Sequence, residues 1–418
     1  MAIFDWRASR RNFLATSGLF SSWAGFLPRR LFGASSTARP RAKKPSSIYE
    51  RLGVRTRINA KGTYTYLTGS LLPPEVAEAM TDAAQHYVLI EELQRAVGAK
   101  ISSLLGVEAA CVTSGAAGAL TLGTAACVTG SDPEKIKRLP ETAGMKNEVI
   151  IQKAHRYGFD HAVRNVGVRL VEVETEDDLE RAINEKTAMM HFLNEAQNQG
   201  KIGLEKWVEV GKRRGIPTFN DAAADVPPVS HLSDYNKMGF DLVCFSGGKG
   251  LRGPQCSGLL LGRKDLIDAA LLNNNPNEDT IGRPMKVGKE EIAGLYVALE
   301  RYLKVDHEAE WKAWEKQLDL MDKEVTSVPG IHTGRFVPEV ANHVPHLYFQ
   351  WDETALGLTK AECVKQLEEG EPSVVCLGDD YPYGLSVTPF MMKPGEEKIV
   401  ALRLKQVFIE AQKKRAAG

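Results

Sequence analysis

Lys249, Asp221, Asn194 and His155 have the residue types and the spacing to do chemistry. Lys249 lies in Ser246-Gly247-Gly248-Lys249-Gly250, directly after the apolar run LVCF, and Asp221 closes the run IPTFND 28 residues earlier. A lysine amine that has lost its proton forms an imine with an aldehyde. A carboxylate at the end of a buried strand must find a cation or lose its charge. Further upstream, Ser114-Gly115-Ala116-Ala117-Gly118 leads from CVT into a helical pattern. Small residues there let an anion approach the unpaired N–H groups and partial positive charge of a helix start. The pattern is neither GxGxxG nor GxxxxGK[ST], which argues against a nucleotide, and on its own it serves packing equally well. EVIIQKA delivers His155 and Tyr157, where a flat side chain could lie over an aromatic ring, and TAMMHFLN delivers Asn194 and Glu195.

Together these residues meet the demands of a pyridoxal phosphate site. Ser114, Gly115 and Ala116 would seat the phosphate, Asp221 would keep the pyridine nitrogen protonated, and Lys249 would hold the aldehyde. Ala223 is small enough to pack against the ring face opposite His155. No HExxH motif or Cys/His cluster is present, so no metal is expected.

Strands must hold these residues in place. EVIIQKA, VRLVEV, TAMMHFLN, IPTFND, LVCFS and SGLLLG are strand candidates alternating with amphipathic helices, which predicts an α/β fold around a mostly parallel sheet. Ligands of such sheets sit at the carboxyl ends of strands. Thr175 with Asp178 reads as a capping box, and Leu204, Trp207 and Val208 mark a helix face closed by Gly215. A helix is expected from Glu75 to Leu105 and another from Lys289 to Val325. Residues 75–300 read as a large cofactor-binding lobe, and 49–72 plus 301–418 as a smaller α+β lobe.

With 418 residues, 43% of them hydrophobic and 25% charged, the chain is an ordinary globular one. Lys plus Arg and Asp plus Glu balance at 53 each, but beyond residue 38 there are 48 basic and 52 acidic side chains. A nucleic acid partner would favour the opposite bias. Residues 1–38 carry Ser9-Arg10-Arg11-Asn12-Phe13-Leu14 and then a moderately apolar stretch too short to span a bilayer, with small residues at Ser36-Thr37-Ala38. This reads as a twin-arginine export signal followed by a linker, 39–48. It implies a periplasmic protein without a membrane anchor, or a cytoplasmic one where the signal does not act. Cys111, Cys127, Cys244, Cys256, Cys363 and Cys376 lie in or beside apolar runs without a CxxC pair, as buried structural thiols do.

From about residue 50 to 300 the chain resembles the L-seryl-tRNA(Sec) seleniumtransferase-like family of fold-type I, aminotransferase class V-like pyridoxal phosphate enzymes. The segments that carry the likeness are INAKGTYTYLTGS, EAACVTSGAAGAL, FNDAAADVPP, SGGKGLRGPQCSGLLLGRKDLI and GRPMKVGKEEIAGLYVALERYL. The resemblance implies Lys249 as the Schiff-base lysine and Asp221 as the pyridinium partner. It further implies Ser246 as an auxiliary phosphate ligand, Asn194 on the cofactor's phenolic oxygen or the substrate, and His155 stacked on the ring. Arg283 and Lys286 fall where the family binds an anionic substrate group, and a homo-oligomer is expected. Two departures count against tRNA as substrate. Only a signal and a linker precede Tyr49, and Ser70 replaces an Arg usual after LTG. The expected activity is therefore elimination of ammonia-lyase type, or β-replacement, on a small anionic amino-acid-like or amino-sugar-acid substrate. Selenium transfer to seryl-tRNA and a non-catalytic exported binding protein are the alternatives. A desulfurase would need Cys376 on a mobile loop, and an aminotransferase would need an Arg such as Arg335.

Overall fold

The computed structural model describes residues 47–378 and 383–417. Met1–Arg55 and Thr56–Gly418 are separate compact units. In the first, a helix at Ile48–Arg51 starts from a Ser47/Glu50 capping box. The twin-arginine segment, its cleavage site and most of the linker lie outside the described residues.

In chain order the larger unit contains β1 (Arg57–Asn59), α1 (Pro74–Ala83), α2 (Ile90–Leu105), β2 (Ala109–Thr113), α3 (Gly115–Thr129), β3 (Glu148–Gln152), β4 (Arg169–Val173) and β5 (Thr187–Leu193). It continues with α4 (Leu204–Arg214), β6 (Thr218–Asp221), α5 (His231–Met238), β7 (Leu242–Ser246), β8 (Gly258–Gly262), α6 (Lys289–Lys304) and α7 (His307–Val325). β9 (His332–Phe336), β10 (His346–Gln350), α8 (Lys360–Glu369), β11 (Ser373–Val375), β12 (Ser386–Val387) and α9 (Glu396–Ala417) complete it, among further short helices.

The large sheet has the order β2-β8-β7-β6-β5-β3-β4, parallel except where β8 meets β2 and β7. Its strands are apolar on both faces because both are covered. Along β7, Val243 and Phe245 enter one core with Phe192 and Trp207, while Leu242 and Cys244 enter another with Leu120 and Phe219. A third core lies under β9, β10 and β12, an antiparallel sheet, and under β1, which pairs in parallel with β11. The last pairing joins residues 57–59 to a segment more than 300 positions away.

The six strand candidates and the Thr175/Asp178 capping box are all present. Both long helices, however, are broken. Between α1 and α2 the chain runs Gln85-His86-Tyr87-Val88-Leu89, and the last three side chains are exposed, so no apolar face continues the helix. Between α6 and α7, Asp306 accepts a hydrogen bond from the Ala309 N–H at 2.9 Å and so starts a new helix. No described helix is long and apolar enough to cross a membrane.

Candidate active site

Parallel strands β5, β6 and β7 end side by side, and their ends carry the expected residues. Asp221 closes β6 and is 4% exposed. Its Oδ1 accepts from the Ala223 N–H at 3.1 Å and from Cys244 Sγ at 3.6 Å, and its Oδ2 accepts a short hydrogen bond from the Tyr157 hydroxyl. Ala223 links this carboxylate to the next strand, since its carbonyl accepts from the Ser246 N–H at 3.2 Å.

The turn after β7 is shaped by close main-chain packing. A Cβ on Gly250 would lie 2.0 Å from the Val226 carbonyl oxygen, and one on Gly69 would lie 2.2 Å from that of Gly248. Ser70 donates to the Gly248 carbonyl at 3.0 Å. The Lys249 carbonyl accepts from the Arg252 N–H at 2.9 Å. The half-buried Lys249 side chain has no ion-pair partner among the described residues. Its charge acts on both Asp225 and Cys244, as does that of Asp221.

α3 begins at Gly115 with no side-chain cap, and Ser114, Gly115 and Ala116 are partly open to solvent. An uncapped first turn leaves its N–H groups for an anion. Asn194, at the end of β5, is wholly buried. Its Nδ2 donates to the Tyr235 hydroxyl at 2.8 Å, and its Oδ1 has no partner. An open helix start, an orphaned amide oxygen, an anchored carboxylate and a lysine in a glycine turn fit a phosphorylated pyridine aldehyde.

His155 does not take the stacking place expected for it. It has no exposed surface, packs edge-on against Phe192 at 4.4 Å, and has its ring nitrogens against the Leu193 N–H and the Gln152 amide, both at 3.2 Å. Burial pushes its pKa down to about 4, so the ring is neutral. A short helical turn over Lys153–His155 points it into the core, and the ring brought to Asp221 is that of Tyr157. Behind Tyr157 lies His191, parallel to it within 7°, with Nε2 at 3.3 Å from the hydroxyl. Because that hydroxyl gives its proton to Asp221, the His191 Nε2–H donates to it, which leaves His191 Nδ1 without a partner.

Other expected residues stand apart. Arg283 and Lys286 lie in the loop before α6, where neither side chain makes a hydrogen bond or ion pair to Asp221, Asn194 or Lys249 among the described residues. Arg335 is held by Glu315 and Asp319 on α7, each at 2.5 Å, so it is not free for a second substrate carboxylate. Cys376 is buried and pushed up to about 12 by that burial, unlike a nucleophile on a mobile loop. Of the other thiols, Cys111, Cys244 and Cys363 are buried, Cys127 is half-buried, and Cys256 is exposed, contrary to expectation.

The sequence assigned no role to His191, Tyr235, Asp225 or Asn342, and it offered Tyr157 only as a flat side chain beside His155. Asn342 Oδ1 accepts from both the N–H (3.1 Å) and the hydroxyl (2.6 Å) of Thr63, and its own N–H donates to the Ala224 carbonyl at 3.1 Å. Of those four, the spacing of DAAAD, which sets Asp225 four residues after Asp221, hinted at Asp225.

Comparison with known proteins agrees with this arrangement. D-glucosaminate-6-phosphate ammonia lyase of Salmonella typhimurium is 29% identical over 86% of this chain and 98% of its own length. A 5'-C-glycyluridine monooxygenase-decarboxylase from a Streptomyces species is 29% identical over 87% and 92%. A solved structure of D-glucosaminate-6-phosphate ammonia-lyase superposes with a TM-score of 0.78, covering 88% of this chain and all of the other at 29% identity. In fold alone, a serine palmitoyltransferase from S. paucimobilis with bound pyridoxal phosphate also matches, with a TM-score of 0.53 at 11% identity, covering 85% and 88%. The family model described as SelA, L-seryl-tRNA selenium transferase, matches residues 57–328. This chain belongs to that family, and it is a fold-type I enzyme that uses pyridoxal phosphate.

Proposed function

We propose that the enzyme eliminates ammonia from a small anionic amino acid, an amino-sugar acid being the best candidate. The observation that carries this reading is the convergence of Asp221 and Lys249 at adjacent strand ends, with an uncapped helix start available for phosphate. It is supported by relatives that match over nearly their whole length, one of them named as an ammonia lyase.

When bound, the cofactor supplies an electron sink at the substrate's Cα. The N–H groups of Gly115 and Ala116, with Ser114 and Ser246, would hold its phosphate. Asp221, held by Ala223 and Tyr157, would hold the protonated pyridine nitrogen. Ala223 and, in place of His155, Tyr157 would pack against the ring. Lys249 would hold the aldehyde and would serve as the base for the substrate's Cα proton, with the Cβ substituent leaving and the nitrogen released as ammonia. Asn194 would orient the phenolic oxygen or the substrate. Arg283 and Lys286, which have no side-chain partner in their own chain among the described residues, bind the substrate's anionic group in a homo-oligomer. Export through the twin-arginine signal belongs to the same proposal.

The test is direct. Protein loaded with pyridoxal phosphate should absorb in the visible, and Lys249→Ala should lose that band. D-glucosaminate 6-phosphate and a panel of β-substituted amino acids should then be assayed for ammonia and 2-oxo acid. A colourless loaded protein would overturn the site. Release of carbon dioxide in place of ammonia would move the enzyme to the chemistry of the Streptomyces relative. Tight, salt-sensitive binding of seryl-tRNA would restore the selenium transferase reading.

A further inference from the structure

Asp225 lies four residues beyond Asp221 and is 3% exposed, yet no Lys or Arg pairs with it among the described residues. The Asn194 amide reaches its carboxyl, and its hydrogen bond from Tyr235 is long. Tyr235 donates to its Oδ2 at 3.5 Å, whereas an ionised carboxylate draws a hydroxyl to about 2.5–2.7 Å. Asp221, by contrast, accepts from three donors. A buried carboxylate so poorly supplied is costly, and the neutral acid is the alternative.

The groups around it agree. Burial raises its pKa to about 7; the Asn194 amide opposes the rise, the charges of Asp221 and Glu195 add to it, and that of Lys249 opposes it. From α5, His231 Nδ1 donates to the Asp225 carbonyl at 2.9 Å and lies 3.2 Å from the Tyr235 hydroxyl, and His343 acts on His231 in turn. Since His231 Nδ1 carries the proton, the Tyr235 hydrogen is left to Asp225, and its oxygen accepts from Asn194. Tyr235 is therefore the link between Asp225 and Asn194.

We propose that Asp225 is a positioning residue that, while it carries its proton, leaves Tyr235 seated on the Asn194 amide, so that ionisation of Asp225 unseats Asn194. An ionised Asp225 would pull the hydroxyl in by about 0.9 Å, the gap between 3.5 Å and a charge-assisted bond, and so change its seat on Asn194. The catalytic consequence rests on the elimination reading; the titration does not.

The experiment therefore has two arms. On wild type and Asp225→Asn without substrate, the melting temperature is followed from pH 4 to pH 9, and the infrared carbonyl band of a protonated carboxyl is followed in wild type. A carboxyl whose folded pKa is raised contributes stability below its unfolded value, and loses it as pH rises through the folded value. Wild type should therefore fall by several degrees relative to Asp225→Asn between pH 4 and about pH 7, and the band should bleach over the upper part of that range. A constant gap with no bleaching overturns the proposal. If Asp225→Asn does not fold, the wild-type infrared titration decides alone. In the second arm, kcat/KM of wild type should drop roughly 10-fold or more from pH 6.5 to 8.5. Asp225→Asn should lack that drop, and Tyr235→Phe should lack it while keeping the infrared titration. An identical alkaline drop in all three proteins overturns the proposal. Absence of any ammonia release defeats the elimination reading and leaves the first arm readable.

Discussion

Two buried carboxyl groups show how differently this chain treats the same side chain. Asp160 is 1% exposed and accepts from Arg156 Nε at 2.6 Å and Arg164 Nε at 2.9 Å. Asp225 is as buried and, with no cation beside it among the described residues, has a phenol at 3.5 Å and the Asn194 amide. Burial pushes Asp160 up, but the hydrogen bonds and charges of Arg156 and Arg164 outweigh it and hold the carboxyl below its ordinary range. The first arrangement joins the exit of β3 to the short helix His161–Arg164 and serves the fold. The second stands beside Lys249 and Asp221, where an unpaired acid contributes nothing obvious to stability. Buried acids held at such cost cluster at working sites.

That contrast can be broken by substitution. The largest effect should come from the site. Asp221→Ala should lower kcat/KM by about 10²–10⁴-fold with little loss of melting temperature, measured on cofactor-loaded protein. Asp160→Asn should do the reverse, costing about 1–2 kcal/mol in chemical denaturation while leaving turnover intact, since its arginines are partly solvated and screened. A large loss of activity in Asp160→Asn, or a large loss of stability in Asp221→Ala, would erase the distinction.

The pH dependences should also have opposite signs. Asp160 contributes stability above the unfolded carboxylate value of about 4, and that contribution disappears as pH falls. Wild type should therefore lose melting temperature faster than Asp160→Asn from pH 6 to pH 3, whereas Asp225 acts as pH rises. The smallest change is expected for Arg335→Ala. Its guanidinium is occupied by Glu315 and Asp319, so kcat/KM should stay at the wild-type value, and a selective rise in KM would show that Arg335 reaches substrate after all.

Much of the site was legible in the sequence because strands of a covered parallel sheet are continuous apolar runs, and the residues that interrupt them sit at their ends. Asp221 and Lys249 stood out by this rule, as did Ser114–Ala116 and Asn194. What failed were choices between neighbours. His155 and Tyr157 leave the same strand two positions apart, and only the turn over Lys153–His155 decides which ring enters the core and which reaches Asp221. The breaks in the two long helices were hidden because helical spacing continues across residues that find nothing to pack against.

The order of polar and apolar residues along the chain was enough to determine the α/β architecture, the strand ends and which lysine and aspartate stand at them, since these depend on local periodicity. Which charged groups find partners was decided largely by tertiary structure. Arg335 meets Glu315 and Asp319 on another element and Asp225 meets no cation among the described residues, whereas Asp160 finds Arg156 and Arg164 only four positions away on either side. A charge's state depends on the atoms within a few ångströms of it, and in a folded chain most of those are supplied by other elements.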